Sequence, residues 1–74
     1  MQFFIIDRFI GQTKEKKSYF CIVVYCQKLH KSFNIYVNEE KFMKYGDFSD
    51  MSDISSYITY GYNFKNNTFS LELI

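Results

Sequence analysis

A chain of 74 residues with a net charge of +1 has room for one domain, residues 1–74, and too little core to hold two. Apolar residues make up 47% and aromatic residues 22%, which excludes an intrinsically disordered chain and leaves nine Phe and seven Tyr to supply buried area that length does not. Ala, Pro and Trp are absent, and Phe, Ile, Lys, Asn and Tyr make up half of the chain. Those five are encoded by A/T-rich codons, so the composition suggests an A/T-rich bacterium or its phage, plasmid or other mobile element. Losing Ala also removes the best helix former.

Along the chain, Met1-Gln2-Phe3-Phe4-Ile5-Ile6 has no basic start, and Asp7 and Arg8 interrupt the apolar run well short of secretory or spanning length. A cytoplasmic protein with no membrane partner is expected. Residues 2–10 read as a strand, and Gly11 opens a polar loop that ends at Lys17. Residues 18–27 form a second strand, apolar on both sides through Tyr19-Phe20-Cys21-Ile22-Val23-Val24-Tyr25. Cys21 and Cys26 are an odd number of positions apart and so face opposite ways on a strand; both are expected to be reduced, small core residues.

Residues 28–31 turn the chain into a third strand, 32–37, with Phe33, Ile35 and Val37 on one side and Asn34 and Tyr36 on the other. Setting Gln27 opposite Ser32 aligns Cys26, Val24 and Ile22 with Phe33, Ile35 and Val37, and places Val23 beside Tyr36 and Tyr25 beside Asn34 on the reverse face. Asn38 suits a helix N-cap, Glu39 and Glu40 suit the positive end of the dipole, and Gly46 suits a left-handed closure, which predicts a helix over 39–45. Phe42 and Tyr45, three apart, are expected to plug one mouth of a barrel. An acidic loop, 47–53, follows. Residues 54–64 are expected to be extended, with Asn66-Asn67 as a type I′ turn into strand 68–74, so that Phe64 faces Phe69, Tyr62 faces Leu71 and Tyr60 faces Leu73.

These elements predict a mainly β fold with five antiparallel strands and one short helix between the third and fourth, the element order of an OB-like β-barrel. The stretch Thr13-Lys14-Glu15-Lys16-Lys17-Ser18-Tyr19-Phe20-Cys21, a basic loop entering an aromatic strand, resembles the first hairpin of small phage and plasmid OB-fold single-stranded-DNA-binding proteins. The resemblance implies binding on the exposed face of strands two and three, flanked by the loops joining strands one to two and four to five. Tyr19, Tyr25 and Tyr36 would stack bases. Lys14, Lys16 and Lys17 from one loop and Lys65 from the other would neutralise phosphates, with Lys28 and Lys31 extending the track.

The charge map also supports a different function. Residues 1–31 carry six Lys or Arg against two acids, and residues 32–74 carry three against six. Glu39, Glu40, Asp47, Asp50 and Asp53 form an acidic stretch that would suit a DNA mimic, an anti-CRISPR-like inhibitor of a host nucleic-acid-binding protein. A third reading buries the aromatic surplus of strand two against a second copy in a homodimer. An enzyme is not expected: His30 is the only histidine, it falls in a turn, and no nucleophile or metal-ligand spacing surrounds it, while Asp47, Asp50 and Asp53, three apart, lack the alternating ligands and bidentate Glu of a calcium loop. No cofactor is expected either, since Gly11, Gly46 and Gly61 are isolated.

Overall fold

The computed structural model describes residues 1–74. Strands β1 (Phe3–Gln12), β2 (Ser18–Cys26) and β3 (Lys31–Val37) form an antiparallel sheet in the order β1-β2-β3. Helix α1 (Glu39–Gly46) and a 3-10 turn (Ser55–Tyr57) lead into a second antiparallel sheet, the hairpin of β4 (Ile58–Asn63) and β5 (Thr68–Leu73). The protein is thus mainly β, with five antiparallel strands and one short helix. No helix is long and apolar enough to cross a membrane.

The core lies between the two sheets. Phe3, Ile5, Ile22, Val24, Cys26 and Ile35 from the larger sheet meet Tyr45, Ile54, Ile58 and Leu73 in one buried cluster. Aromatic pairs fasten the hairpin across it: Phe3 lies 5.8 Å from Tyr60, and Phe33 lies 5.6 Å from Phe69, between ring centroids. Asn38 caps α1 as its sequence predicts, its side-chain oxygen accepting from the Lys41 amide at 2.8 Å. Tyr45 is fully buried and Phe42 packs 5.3 Å from Phe20, so this helix face packs on the core between two sheets that do not close into a barrel whose mouth it could plug. Gly46 does not take the expected left-handed closure; it remains in the helix, no glycine has a positive φ, and Asp47 is the C-cap in right-handed geometry.

Both hairpins depart from the expected registers by two residues. β2 pairs Cys26 with Lys31, Val24 with Phe33, Ile22 with Ile35 and Phe20 with Val37. β4 pairs Asn63 with Thr68, Tyr62 with Phe69 and Tyr60 with Leu71. A two-residue slip leaves every side chain on its original face, so alternation is blind to it, and turn geometry decides. The turn geometry is the same in both: the turns, 27–30 and 64–67, are four residues long and end on a residue in left-handed geometry, His30 at φ 51° and Asn67 at φ 53°. Asn66-Asn67 is therefore not a two-residue type I′ turn, and Phe64 leaves the ladder for the turn, where it is 88% exposed. Ile54–Tyr57, expected to be extended, instead forms the 3-10 turn and its cap.

β1 contains a bulge between Ile5, opposite Val24, and Asp7, opposite Val23. The extra residue reverses the facing of everything after it. Phe3 and Ile5 point into the core, and Phe9 points out. Beside the bulge, residues 51–54 cover the free edge of β1: the Ile5 amide donates to Ser52 O at 3.0 Å, the Met51 amide to Ile5 O at 2.7 Å, and the Ile54 amide to Phe3 O at 2.9 Å. The acidic loop thus ends as an edge strap, with Phe4 and Asp53 bridged. On the far side no ladder joins β3 to β5. A groove of about 480 Å³, lined by Asn34–Asn38 and Leu71–Leu73, separates those two edges.

Candidate functional site

The outer face of the larger sheet carries the side chains that alternate away from the core. On β2 these are Tyr19, Cys21, Val23 and Tyr25, flanked by Phe4, Asp7, Phe9 and Gly11 on β1 and by Ser32, Asn34 and Tyr36 on β3. Three rings form a row across the strands. Phe9 and Tyr19 are 6.4 Å apart at 84°, and Tyr19 and Tyr36 are 6.0 Å apart at 65°, both edge-on. Tyr36 is 66% exposed, and Tyr19 is half-buried.

The observed register builds this row. With Gln27 opposite Ser32, Tyr36 would stand next to Val23 and near Tyr25; in the structure Tyr36 stands opposite Cys21 and diagonal to Tyr19. Tyr25 instead faces Ser32 near the turn, where its hydroxyl lies 3.4 Å from His30 Nδ1. Of the three tyrosines singled out in the sequence, Tyr19 and Tyr36 come together and Tyr25 stands apart. His30 is exposed in its turn.

Two further members of the row escape a reading based on tyrosines and lysines. Phe9 reaches the outer face only because the bulge reverses β1. Gly11 sits opposite Tyr19, and a side chain there would overlap the tyrosine ring. A signal for the bulge does exist in the sequence: Asp7 falls in phase with Phe3 and Ile5, which without an extra residue would put a carboxylate in the core.

Cys21 lies within this row, between Phe9 and Tyr36 in the register, and is 0% exposed, yet it is not part of the inter-sheet cluster. Cys26 belongs to that cluster, and both thiols are free and buried. Burial pushes the Cys21 thiol above its ordinary value; a backbone hydrogen bond with Ile35 opposes the shift, and the Asp7 carboxylate adds to it.

The lysines divide between the two ends of the sheet. Lys14, Lys16 and Lys17 occupy the β1–β2 loop, next to Tyr19, with Lys17 3.8 Å from Glu15. That loop is closed by the Thr13 amide donating to Lys17 O at 2.9 Å and by Lys16 in left-handed geometry at φ 62°. Lys28 and Lys31 lie at the opposite end of β2. Lys65 lies in the β4–β5 turn, and its hairpin meets the β2–β3 turn, Tyr60, Tyr62 and Phe69 lining a cleft with Leu29. The loops carrying Lys16 and Lys65 therefore do not flank the same end of the aromatic row. Lys31 Nζ sits 5.4 Å from the Phe33 ring centroid.

The acidic residues are exposed, and two of them, Asp50 and Asp53, have side-chain partners. Glu39 and Glu40 stand in the first turn of α1, where they complement its dipole, and Asp47 caps its end. Asp50 Oδ1 lies 3.5 Å from Arg8 Nη1, and the other guanidinium nitrogen donates to Phe48 O at 2.6 Å. That tie uses the only arginine of the chain. Asp53 accepts from the Ser55 hydroxyl at 2.5 Å and the Ser55 amide at 2.9 Å, which hold its carboxyl below the usual range. No three His, Cys, Asp or Glu side chains gather at metal-ligating distance. No protein-family model, curated protein or solved structure matches this chain.

Proposed function

We propose that this chain binds single-stranded nucleic acid without chemistry, on the outer face of β1–β3, with the β1–β2 loop supplying the cations. The observation that carries this reading is the row Phe9–Tyr19–Tyr36, which runs across three strands on the side away from the core and has Lys14, Lys16 and Lys17 at its end. Stacking on ring faces is indifferent to base identity, and lysine, a flexible point charge, follows a phosphate backbone without reading it. We take the two sheets as an OB-like barrel left open between β3 and β5, with the face of β2 and β3 as its binding surface. Phe9, from β1, extends that surface by one strand.

The acidic set favours an inhibitor less. Asp50 and Asp53 are tied to Arg8 and Ser55, which fixes them for the fold and not for a partner.

Titration of the protein into fluorescent single-stranded DNA at two salt concentrations tests the reading. Tyr19→Ala or Tyr36→Ala is expected to cost about 1–3 kcal/mol of binding, the worth of one stacked base. Lys16→Glu should weaken binding and flatten its salt dependence, by roughly 0.7 in log–log slope for each phosphate that is no longer neutralised. Absence of binding at low salt, or equal binding by Tyr36→Ala and the parent, would overturn it, and light scattering on the same samples reads self-association.

A further inference from the structure

The opposite end of the molecule has a different chemistry. Two hairpins come together there, Leu29 of one lining a cleft with Tyr60, Tyr62 and Phe69 of the other; their turns are 27–30, with the sequence Gln27-Lys28-Leu29-His30, and 64–67, with the sequence Phe64-Lys65-Asn66-Asn67. Leu29 and Phe64 are exposed at the turns, Phe64 to 88%. Tyr62 joins them into one patch, its ring 4.8 Å from Phe64 and its side chain sharing with Met1, Leu29 and Tyr60 an almost wholly apolar cleft of about 580 Å³. Beside these apolar side chains stand Lys28, Lys31 and Lys65, while neither turn nor its flanking residues contains Asp or Glu.

We propose that this end of the molecule docks on an anionic lipid surface, with Leu29 and Phe64 entering the headgroup–acyl boundary and the three lysines meeting lipid phosphates. The inference goes beyond the nucleic-acid reading and leaves its ring row and its β1–β2 lysines untouched; Lys28, Lys31 and Lys65, expected from the sequence to extend a phosphate track, serve the lipid surface instead. Base stacking would use Tyr60, Tyr62 and Phe64 and leave Leu29 and Met1 without a role, whereas aliphatic and aromatic side chains at turn tips both gain from an apolar phase. The cations supply the complement to anionic headgroups, and Tyr60 and Tyr62, apolar rings with hydroxyl tips, suit the interfacial depth. A surface contact of this kind needs no spanning segment.

Co-sedimentation with vesicles of phosphatidylglycerol and phosphatidylcholine in equal parts tests it. Binding is expected to fall as salt rises and to vanish on vesicles of phosphatidylcholine alone. Phe64→Ser, a change at an exposed position that leaves the core intact, should weaken it about tenfold or more. Because the chain has no Trp, Phe64→Trp provides a single reporter, and its emission should shift to the blue when vesicles are added. Lys16→Glu, at the far end, should bind vesicles as the parent does. Failure to sediment, an unshifted tryptophan in sedimented protein, an equal loss in Lys16→Glu, or retention of poly-glutamate in place of vesicles would each overturn the proposal. None of these outcomes bears on DNA binding, so the two readings stand or fall separately.

Discussion

The ring of Tyr19 lies over Gly11, its partner on β1, in the space where any larger residue would carry its side chain. The backbone of Gly11 has no positive φ, so the position requires glycine for room and not for conformational freedom. A tyrosine covering a cross-strand glycine protects the exposed backbone and fixes the ring's direction, here toward Phe9 and Tyr36.

Gly11→Ala should therefore displace the Tyr19 ring without unfolding the sheet, because the atoms in the way are the far end of a side chain that can rotate. The expected cost is about 1 kcal/mol, the low end for overpacking, measured by urea unfolding. The near-ultraviolet circular dichroism should change and single-stranded DNA affinity should drop. Unchanged spectra would mean that the ring does not occupy that space.

His30 and Asn67 end their turns in left-handed geometry, but at different cost, since Asn tolerates this region better than His. His30→Gly is expected to raise stability by about 0.5–1 kcal/mol, the relieved strain exceeding the weak Tyr25 interaction it removes. Asn67→Gly should gain less. A loss of stability in His30→Gly would give the interaction with Tyr25 more weight than its 3.4 Å separation suggests.

Asp53 predicts the acid behaviour of the edge strap. Its carboxyl is held below the usual range by the Ser55 hydroxyl and amide, so the stabilisation is fully present above the ordinary carboxylate value. It is lost as pH falls through the lowered folded value. Asp53→Asn should be less stable than the parent at neutral pH and should lose less on acidification. Parallel acid-unfolding profiles for the two proteins would show that the strap does not depend on this charge.

Cys21 predicts the opposite limb. Its folded thiol keeps its proton to higher pH than the unfolded one, so its contribution is complete below the ordinary thiol range and is lost as pH climbs through the raised folded value. The parent should lose stability in mildly alkaline solution, with a shallower decline in Cys21→Ala. In the native protein both thiols should react slowly with an aromatic disulfide reagent, at rates that rise with denaturant. Rapid native labelling of Cys21 would mean that the aromatic row opens readily.

Much of the architecture is legible from local chemistry. Alternation at Phe33, Ile35 and Val37 assigns the core face of β3, the odd spacing of Cys21 and Cys26 sends them to opposite faces, and Asn38 caps the helix that its side chain announces. The site is legible only in part. Tyr19 and Tyr36 face outward by their place in the alternation, but their proximity is not written there, and Phe9 is hidden by a bulge whose trace is the misplaced charge of Asp7.

Most of the strand, helix and turn assignments, and the faces that β2 and β3 turn to the core, follow from side-chain period, capping and turn chemistry within a few residues of chain. The registers, the 3-10 turn before β4 and the open edge between β3 and β5 belong to the folded molecule alone, and the bulge in β1 leaves in the sequence only the trace of Asp7. The reason is that a two-residue slip conserves every inward and outward assignment, so the choice falls to turn closure at His30 and Asn67 and to packing across the core. That choice puts Tyr36 beside Tyr19 and leaves Tyr25 to the turn.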